Sequence, residues 1–550
     1  MEAGIFSEAS ALVGSRQIEA DADLGPLVEN PPAGIDPDVI TRLRYMFEAG
    51  GWVLLESAIA DLPSDLRWLF EAEAVTIEQL TALHQALGVT SAADLRAAVI
   101  GKAVREVPGL DAGVEAAIGA ALPSLRKTMP LVPLGRATAL AHPILSVLRQ
   151  VPGVPWAAPV GSLRRAQDMV GDIEILAPAH DPAPAFKALL ELPEIARCLH
   201  RGPRRLYLLM DRAQLGVRMP PPDRAGAALL YLTGNAAHFA GLRALAADRG
   251  WTLDPEGLIK APGLPALGAS EEEIYAALEL PWIPPEIRNG EDEIAAARNG
   301  TLPALVSRAD IRGDLHMHTH WSDGRDSTEA MVEACVSLGY EYLAITDHSP
   351  RSRASRNLSV DGVKRQAEEI AALRERYPQI AILHGCEVDI LADGRLDFKD
   401  RILEELDIVL ASLHEGGGDS PERLLRRYLA AMRHPMVTFI THPTNRLVPH
   451  RRGYDLDYDR LFAAAVETGT AVEIDGAPSH LDLDGAMARR AIAAGALVVV
   501  ISDCHRADLL ERQMQLGVQM ARRGWVEPRH VLNTQSVDAI RARIAAKRAR

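Results

Sequence analysis

Four cysteines in 550 residues (Cys198, Cys335, Cys386 and Cys504), none at CxxC spacing, exclude a disulfide framework and a zinc ribbon. No apolar run approaches the roughly 18 residues of a membrane span, and acids stand where a signal peptide needs a basic start. A cytoplasmic protein with no membrane partner is the expectation. Aromatic residues are scarce, at 5%. Net positive charge is missing too: 59 Lys and Arg against 74 Asp and Glu leave −15. That excludes the whole-protein basic field of a strong nucleic-acid binder. It leaves room for local basic patches and for carboxylates gathered around metal ions.

What is present is globular: 48% hydrophobic and 24% charged residues. At roughly 100–200 residues per domain, the length implies about three or four domains. Residues 1–40, rich in Ala, acids and Pro, read as a disordered or extended arm. Residues 41–127 carry a helical period, with one helix over Thr76–Leu87, another opened by Ser91, Asp94 and Leu95, and a tight turn at VPGLD (107–111). A Pro-rich linker at 128–134 leads into a mixed region to residue 300, with strand-like runs at Asp172–Leu176 and Leu206–Met210.

Residues 312–550 alternate seven apolar runs with amphipathic helices: DLHMHT, YLAIT, IAILHGCEVDI, IVLASLH, VTFITHP, AVEID and ALVVVISD. Strand–helix alternation implies parallel pairing, and seven units imply a closed or nearly closed β/α barrel. In such a barrel, catalytic groups collect at the C-terminal ends of the strands. Here those ends carry His and acidic residues repeatedly. His316 and His318 are two apart and face the same way in an extended chain. A lone histidine at a strand end reads as a hydrogen-bonded core residue; a series of six with three acids does not. Imidazole and carboxylate together suit Zn²⁺, Mn²⁺ or Fe²⁺, and nine ligands suffice for two or three ions.

DLHMHTHWSDG, ITDHS, GCEVDI, SLH, THP and SDCH resemble the motif series of the PHP (polymerase and histidinol phosphatase) domain. The resemblance covers about the last 240 residues. It implies a distorted (β/α)7 barrel with a metal site that hydrolyses phosphoesters. Its ligands, carried over, are His316, His318, Asp323, His348, Glu387, His414, His442, Asp503 and His505, with Glu387 as the bridging carboxylate. His320 falls beside the motif as a neighbour able to meet substrate. Arg351 and Arg446, in loops after the second and fifth strands, are candidates for stabilising developing charge.

The middle of the chain resembles bacterial family X DNA polymerases through GSLRRAQDMVGDIEIL (161–176), GAALLYLTGN (226–235), GLRALAADRGWTLDPEGL and EEEIYAALELPWIPPEIR. The last two are similar to that family's thumb. The resemblance implies a polymerase-beta-like palm and thumb over 128–300, with Gly161, Ser162, Arg164, Arg165, Tyr231 and Gly234 as nucleotide-binding positions. VPGLDAGV resembles a helix-hairpin-helix turn, placing Val107 and Gly109 at a DNA phosphate. The fold class is thus multidomain, α+β and α/β: a helical module, palm and thumb, and barrel.

The family's nucleotidyl-transfer site needs three aspartates. Asp172 matches the first, Glu174 stands for the second, and Gly216 stands where the third belongs. Asp211 and Asp223 are near but out of register. A glycine offers no ligand to the metal that activates a primer hydroxyl, so Mg²⁺ is expected to bind weakly there and polymerisation to be weak or absent. The first hairpin is degenerate as well: EAEAVTIEQ holds no glycine. The leading expectation is a metal-dependent 3′–5′ exonuclease acting on DNA 3′ ends in repair. A gap-filling polymerase using deoxynucleotides with PHP editing, a small-molecule phosphatase of histidinol-phosphatase type, and a non-catalytic DNA-binding protein are the alternatives.

Overall fold

The computed structural model describes residues 75–89, 92–122 and 131–550, apart from 212, 353, 355, 415 and 417. The expected arm at 1–40, the chain up to Ala74 and the capping role of Ser91 lie outside the described residues. Two compact units form: one holds the chain up to Leu131 with Leu209–Gln214, the other Val132–Leu208 with Leu215–Arg550.

In the first unit, Thr76 caps the helix Ile77–Leu87 through a reciprocal box with Gln79. Helices Ala92–Ile100 and Ala112–Ala121 follow, the second capped by Asp111, whose side chain accepts the Val114 N–H at 2.9 Å. Leu80, Leu83, Leu95, Val104 and Ile118 share their core. In the turn between the last two helices, Val107 is buried and Gly109 takes a φ of +84°.

The second unit holds most of a five-stranded sheet: β1 (Ala158–Pro159), β2 (Ile173–Leu176), β3 (Ile195–Arg201), β4 (Arg205–Met210) and β5 (Ala213–Arg218), in the order β1-β2-β5-β4-β3. Helices Ala225–Thr233, Ala236–Ala247 and Glu271–Ala277 and a small hairpin (Thr252–Asp254 with Gly257–Ile259) follow around a core of Leu230, Leu242, Ile274 and Tyr275.

The strands of the C-terminal barrel are β6 (Gly313–Asp314), β7 (Tyr342–Ile345), β8 (Ala381–Asp389), β9 (Ile408–Ser412), β10 (Val437–Ile440), β11 (Ala471–Asp475) and β12 (Val498–Ile501). All pair in parallel, and sheet order equals chain order. The crossover helices start where Ser327, Ser359, Ser420, Asp457 and Asp484 each accept a first-turn N–H. Each cap contributes about 1 kcal/mol. Tyr342, Leu383, Leu410, Phe439 and Val499 fill the core.

β6 is shorter than the six-residue run DLHMHT implies. The chain leaves the sheet after Asp314 and meets the far strand's extension in a single Met317–Cys504 bridge, where His318 N–H reaches the Cys504 carbonyl at 2.9 Å. At the opposite end the buried amide of Asn533 stands in for missing pairing. It donates to Gly313 O at 2.8 Å and Val500 O at 2.5 Å, and accepts from Val500 N–H at 3.1 Å. First and last strands are thereby joined at both ends, and the barrel is nearly closed. No helix among the described residues is long and apolar enough to cross a membrane.

Candidate metal centre

The nine predicted residues converge at the C-terminal mouth of the barrel. Three groups of their ligand atoms are each gathered within 4.8 Å: His318, Asp323, His348 and His505; His316, His318 and Asp503; His348, Glu387 and His414. Shared members merge them into one cluster. His442 joins through its Nε2, 3.1 Å from Glu387 Oε1. Loop 319–325 comes close because Gly324 has no side chain: a Cβ there would lie 2.5 Å from the His318 carbonyl.

The spacing fits metal ions better than hydrogen bonds alone. Ligands about 2.0–2.2 Å from a tetrahedral ion lie about 3.3–3.6 Å from one another. His316 Nε2 is 3.1 Å from His318 Nε2, 3.6 Å from Asp503 Oδ1 and 3.5 Å from Glu387 Oε2. His318 Nε2 is 3.0 Å from Asp503 Oδ1 and 3.7 Å from Glu387 Oε2. Five edges of one tetrahedron are therefore accounted for. Around Asp323, His348 Nε2 lies at 3.4 Å and His505 Nε2 at 3.3 Å. On the other carboxylate oxygen of Glu387, His414 Nε2 lies at 3.7 Å. His348 Nδ1 comes within 2.9 Å of Glu387 Oε2 yet is not aligned to bond it, and the buried Nδ1 atoms of His318 and His442 have no hydrogen-bond partner among the described residues. Glu387 is reached from both sides: His316, His318 and His348 approach Oε2, and His414 and His442 approach Oε1.

The cluster is electrostatically self-consistent. Although burial opposes ionisation, His316, His414 and His348 hold Glu387 well below the usual carboxylate range. Asp323 and Asp503 are held low by the same kind of neighbours against the same penalty. His442, despite its burial, is raised to about 9 by Glu387, while burial and the charges of His348 and His505 push His318 down to about 4. Cations bound here would replace protons, so their affinity rises with pH.

Two carboxylates absent from the predicted set orient the ligands. Glu473 Oε2 holds His316 Nδ1 at 2.8 Å, and Asp389 Oδ2 holds His414 Nδ1 at 3.1 Å. Each leaves Nε2 facing the cluster. The signal for Asp389 was its place two residues beyond Glu387, on the same face of β8. Thr441 donates its hydroxyl to Glu387 Oε1 at 2.9 Å.

Arg446 is not a free cation. Its guanidinium donates to Asp168 at 2.8 Å, Asp484 at 3.1 Å and the His480 carbonyl at 2.9 Å, so it ties the palm to the barrel loops. The side chain of Arg351 is 68% exposed, with Asp397 3.9 Å away. His320 is exposed and its ring lies 5.7 Å from that of Trp321.

In the palm, the parallel register places Glu174 opposite Gly216, with Asp172 just before β2. Arg218 holds the Glu174 carboxylate in a fork at 2.8 and 2.9 Å. A Cβ at Gly216 would meet Tyr207 Cε1 at 2.9 Å and Glu174 Oε1 at 3.1 Å. Burial, then the Glu174 charge, raises the Asp172 carboxyl above its ordinary value. Asp211 sits in the turn between β4 and β5, and Asp223 in the short helix Pro222–Arg224.

The remaining predicted nucleotide contacts form internal bonds. Arg164 forks onto buried Glu271 at 2.7 and 2.9 Å and reaches Thr233 Oγ1, while Arg165 donates to the Thr233 carbonyl. Arg288 forks onto the same Glu271, and Trp282 Nε1–H donates to it. Ser162 accepts the Gly171 N–H at 3.2 Å, with Gly161 at φ +64° beside it. Tyr231 remains 46% exposed, three residues before Gly234.

Known proteins carry the same parts. The family model for the DNA polymerase beta thumb matches residues 228–289, and that for the PHP domain matches 314–470. The chain is 33% identical over 514 residues to the DNA polymerase/3′-5′ exonuclease PolX of Bacillus subtilis (strain 168), covering 93% of this chain and 90% of that protein. It is 28% identical over 214 residues to a "Probable phosphatase" of Caldanaerobacter subterraneus subsp. tengcongensis, covering 36% of this chain and 80% of the relative. Among solved structures, Leishmania infantum polymerase beta in a ternary P/T complex matches 41% of this chain and 98% of its own, at 16% identity and a TM-score of 0.27. The chain belongs to the bacterial family X DNA polymerases that carry a C-terminal PHP domain.

Proposed function

We propose that this protein hydrolyses phosphodiester bonds at DNA 3′ ends at the barrel mouth, as a 3′–5′ exonuclease, and that its palm no longer supports DNA synthesis. Two observations carry the reading: nine ligand-type side chains meet at ligand-to-ligand spacing, and the palm register sets a glycine opposite Glu174.

His316, His318, Glu387 and Asp503 would hold one divalent cation; Asp323, His348, His505, His414 and His442 supply ligands for one or two more. Zn²⁺, Mn²⁺ and Fe²⁺ suit these donors. The chemistry that such cations supply is Lewis-acid polarisation of a phosphoryl oxygen and acidification of water. The protein's part is preorganisation. Glu473 and Asp389 fix two rings, and Thr441 orients the central carboxylate. His316, His318, Glu387 and Asp503 are buried, which keeps bulk water from that part of the cluster. Asp323, less buried than Glu387 or Asp503, is the carboxylate on the approach side.

The printed name of the Bacillus subtilis relative pairs polymerase with 3′-5′ exonuclease, which supports DNA as the substrate here. The test uses purified protein with Mn²⁺ and a 5′-labelled primer-template, with and without deoxynucleotides. Stepwise shortening that His316→Ala abolishes and Asp172→Ala leaves intact is expected. Primer extension by the unaltered protein would overturn the palm reading. Hydrolysis of small monoesters with DNA left whole would overturn the exonuclease reading.

A further inference from the structure

A second site lies at the opposite end of the barrel strands. Where helix Tyr458–Thr468 hands over to β11, and the chain after Gly495 to β12, a cavity of about 330 Å³ opens. Ala465, Gly469 and Ala496 line it with little side chain, and Arg529, His530 and Arg543 also face it. The candidate ligands Asp503 and His505 follow the other end of β12, and Glu473, which holds His316, lies on β11.

The charged and imidazole side chains of the lining, Arg529, His530 and Arg543, present donors. His530 Nδ1 accepts the Glu527 N–H at 3.2 Å, so in the neutral ring the proton is on Nε2. No described group takes that Nε2–H. Arg543 has neither a carboxylate nor a carbonyl partner among the described residues, and the charge it feels is that of Arg550. Among the described residues the Arg550 side chain reaches only the Glu467 carbonyl, at 3.5 Å. The nearby Glu527 carboxylate is already engaged by Arg529 and the Ala304 N–H. Lys547, under the adjoining wall that it shares with Arg543 and Gly469, donates to Val437 O and Thr470 Oγ1. Burial and the charges of Arg543 and Arg550 push that lysine down to about 7. In a chain with a net charge of −15, this is a concentration of cationic groups in which, among the described residues, Arg529 has a carboxylate partner and Arg543 has none.

Like charges held together around a concavity destabilise the fold unless an anion enters, and a guanidinium fork beside a second N–H donor matches tetrahedral phosphate oxygens. We propose that this pocket binds a phosphoryl group, with Arg543 and His530 as its principal donors, at a site separate from the metal centre. The phosphoryl group belongs either to a free nucleotide or to the end of a DNA strand. The proposal does not depend on which reaction the barrel mouth performs.

Full-length protein, kept in chelator so that metal at the mouth does not hold phosphate, is titrated calorimetrically with dAMP and with octathymidylate with and without a 5′-phosphate. One saturable site for a phosphorylated probe is expected. Its Kd should weaken at least tenfold in Arg543→Gln, whose side chain has no hydrogen-bond or ion-pair partner among the described residues to lose. Val466→Glu, which brings a carboxylate to the lining at a 47% exposed position, should abolish it. Binding of dAMP identifies free nucleotides as a source. Binding of the phosphorylated oligomer alone identifies strand ends. No saturable binding of either, or equal binding by Arg543→Gln, overturns the proposal.

Discussion

Glu174 stands directly across the parallel pair from Gly216, and its carboxylate is clasped by Arg218 at 2.8 and 2.9 Å. A lone glycine-to-aspartate change therefore has no room: its Cβ would press on Tyr207 at 2.9 Å and on Glu174 at 3.1 Å. Shortening Glu174 by one methylene clears part of that space. We predict that neither the unaltered protein nor Gly216→Asp extends a primer with Mg²⁺ and deoxynucleotides. Gly216→Asp with Glu174→Asp should gain measurable extension. Comparable extension by the unaltered protein would show that the third carboxylate is dispensable.

Glu473 touches His316 and sits behind the predicted ligands. Glu473→Gln keeps the shape and removes the charge that favours Nδ1–H. Loss of such a partner typically weakens metal binding about 10- to 100-fold. Equilibrium dialysis against Mn²⁺ with elemental analysis reads this directly. Unchanged stoichiometry and affinity would remove Glu473 from the orienting role.

The clustered histidines and acids were legible as a group because each belongs to a short motif at the end of a parallel strand, and strand ends of a barrel meet in space. The partners of Arg446 and Arg164 were not legible. Asp168 is 278 residues from Arg446, and Glu271 is 107 from Arg164. Position in a loop shows that a cation is near a site; it does not show which carboxylate has already claimed it. The short β6 has a similar origin. Its apolar alternation reads as six paired residues, but His316 and His318 turn into the cluster, and the pairing ends at Asp314. Asn533 carried no signal, since a side chain standing in for strand pairing has no periodicity.

That asparagine yields a stability prediction. Asn533→Ala strips hydrogen-bond partners from Gly313 O, Val500 O and Val500 N–H, all inside the core. Each buried group left unpaired costs about 1–3 kcal/mol, offset in part where water enters. A loss of about 3 kcal/mol in urea unfolding of the full chain is expected, with Asn533→Asp faring no better because it cannot donate to both carbonyls. A loss under about 0.5 kcal/mol would mean that the first and last strands are joined by other contacts.

Lys547 makes stability depend on pH in a direction opposite to that of a salt-bridged lysine. Its ammonium is buried against Val437 O and Thr470 Oγ1, and burial together with Arg543 and Arg550 lowers its pKa from 10.5 to about 7. Below about pH 7 both folded and unfolded chains carry the proton, and the native state bears the full cost of the buried charge. Between about 7 and 10.5 the unfolded chain binds more protons, so stability rises with pH through that window. At about 1.4 kcal/mol per pKa unit the upper limit is on the order of 4–5 kcal/mol, reduced where water relaxes around the amine. Lys547→Met should therefore stabilise the protein at pH 6 by about 2 kcal/mol. The gain should fade toward pH 10, where the neutral amine keeps hydrogen bonds that methionine lacks. Denaturation curves at pH 6, 8 and 10 decide it: a constant difference across the three would mean that Lys547 holds its proton throughout. Phosphate in the adjoining pocket should shrink the gain at pH 6, because a bound anion relieves the same repulsion.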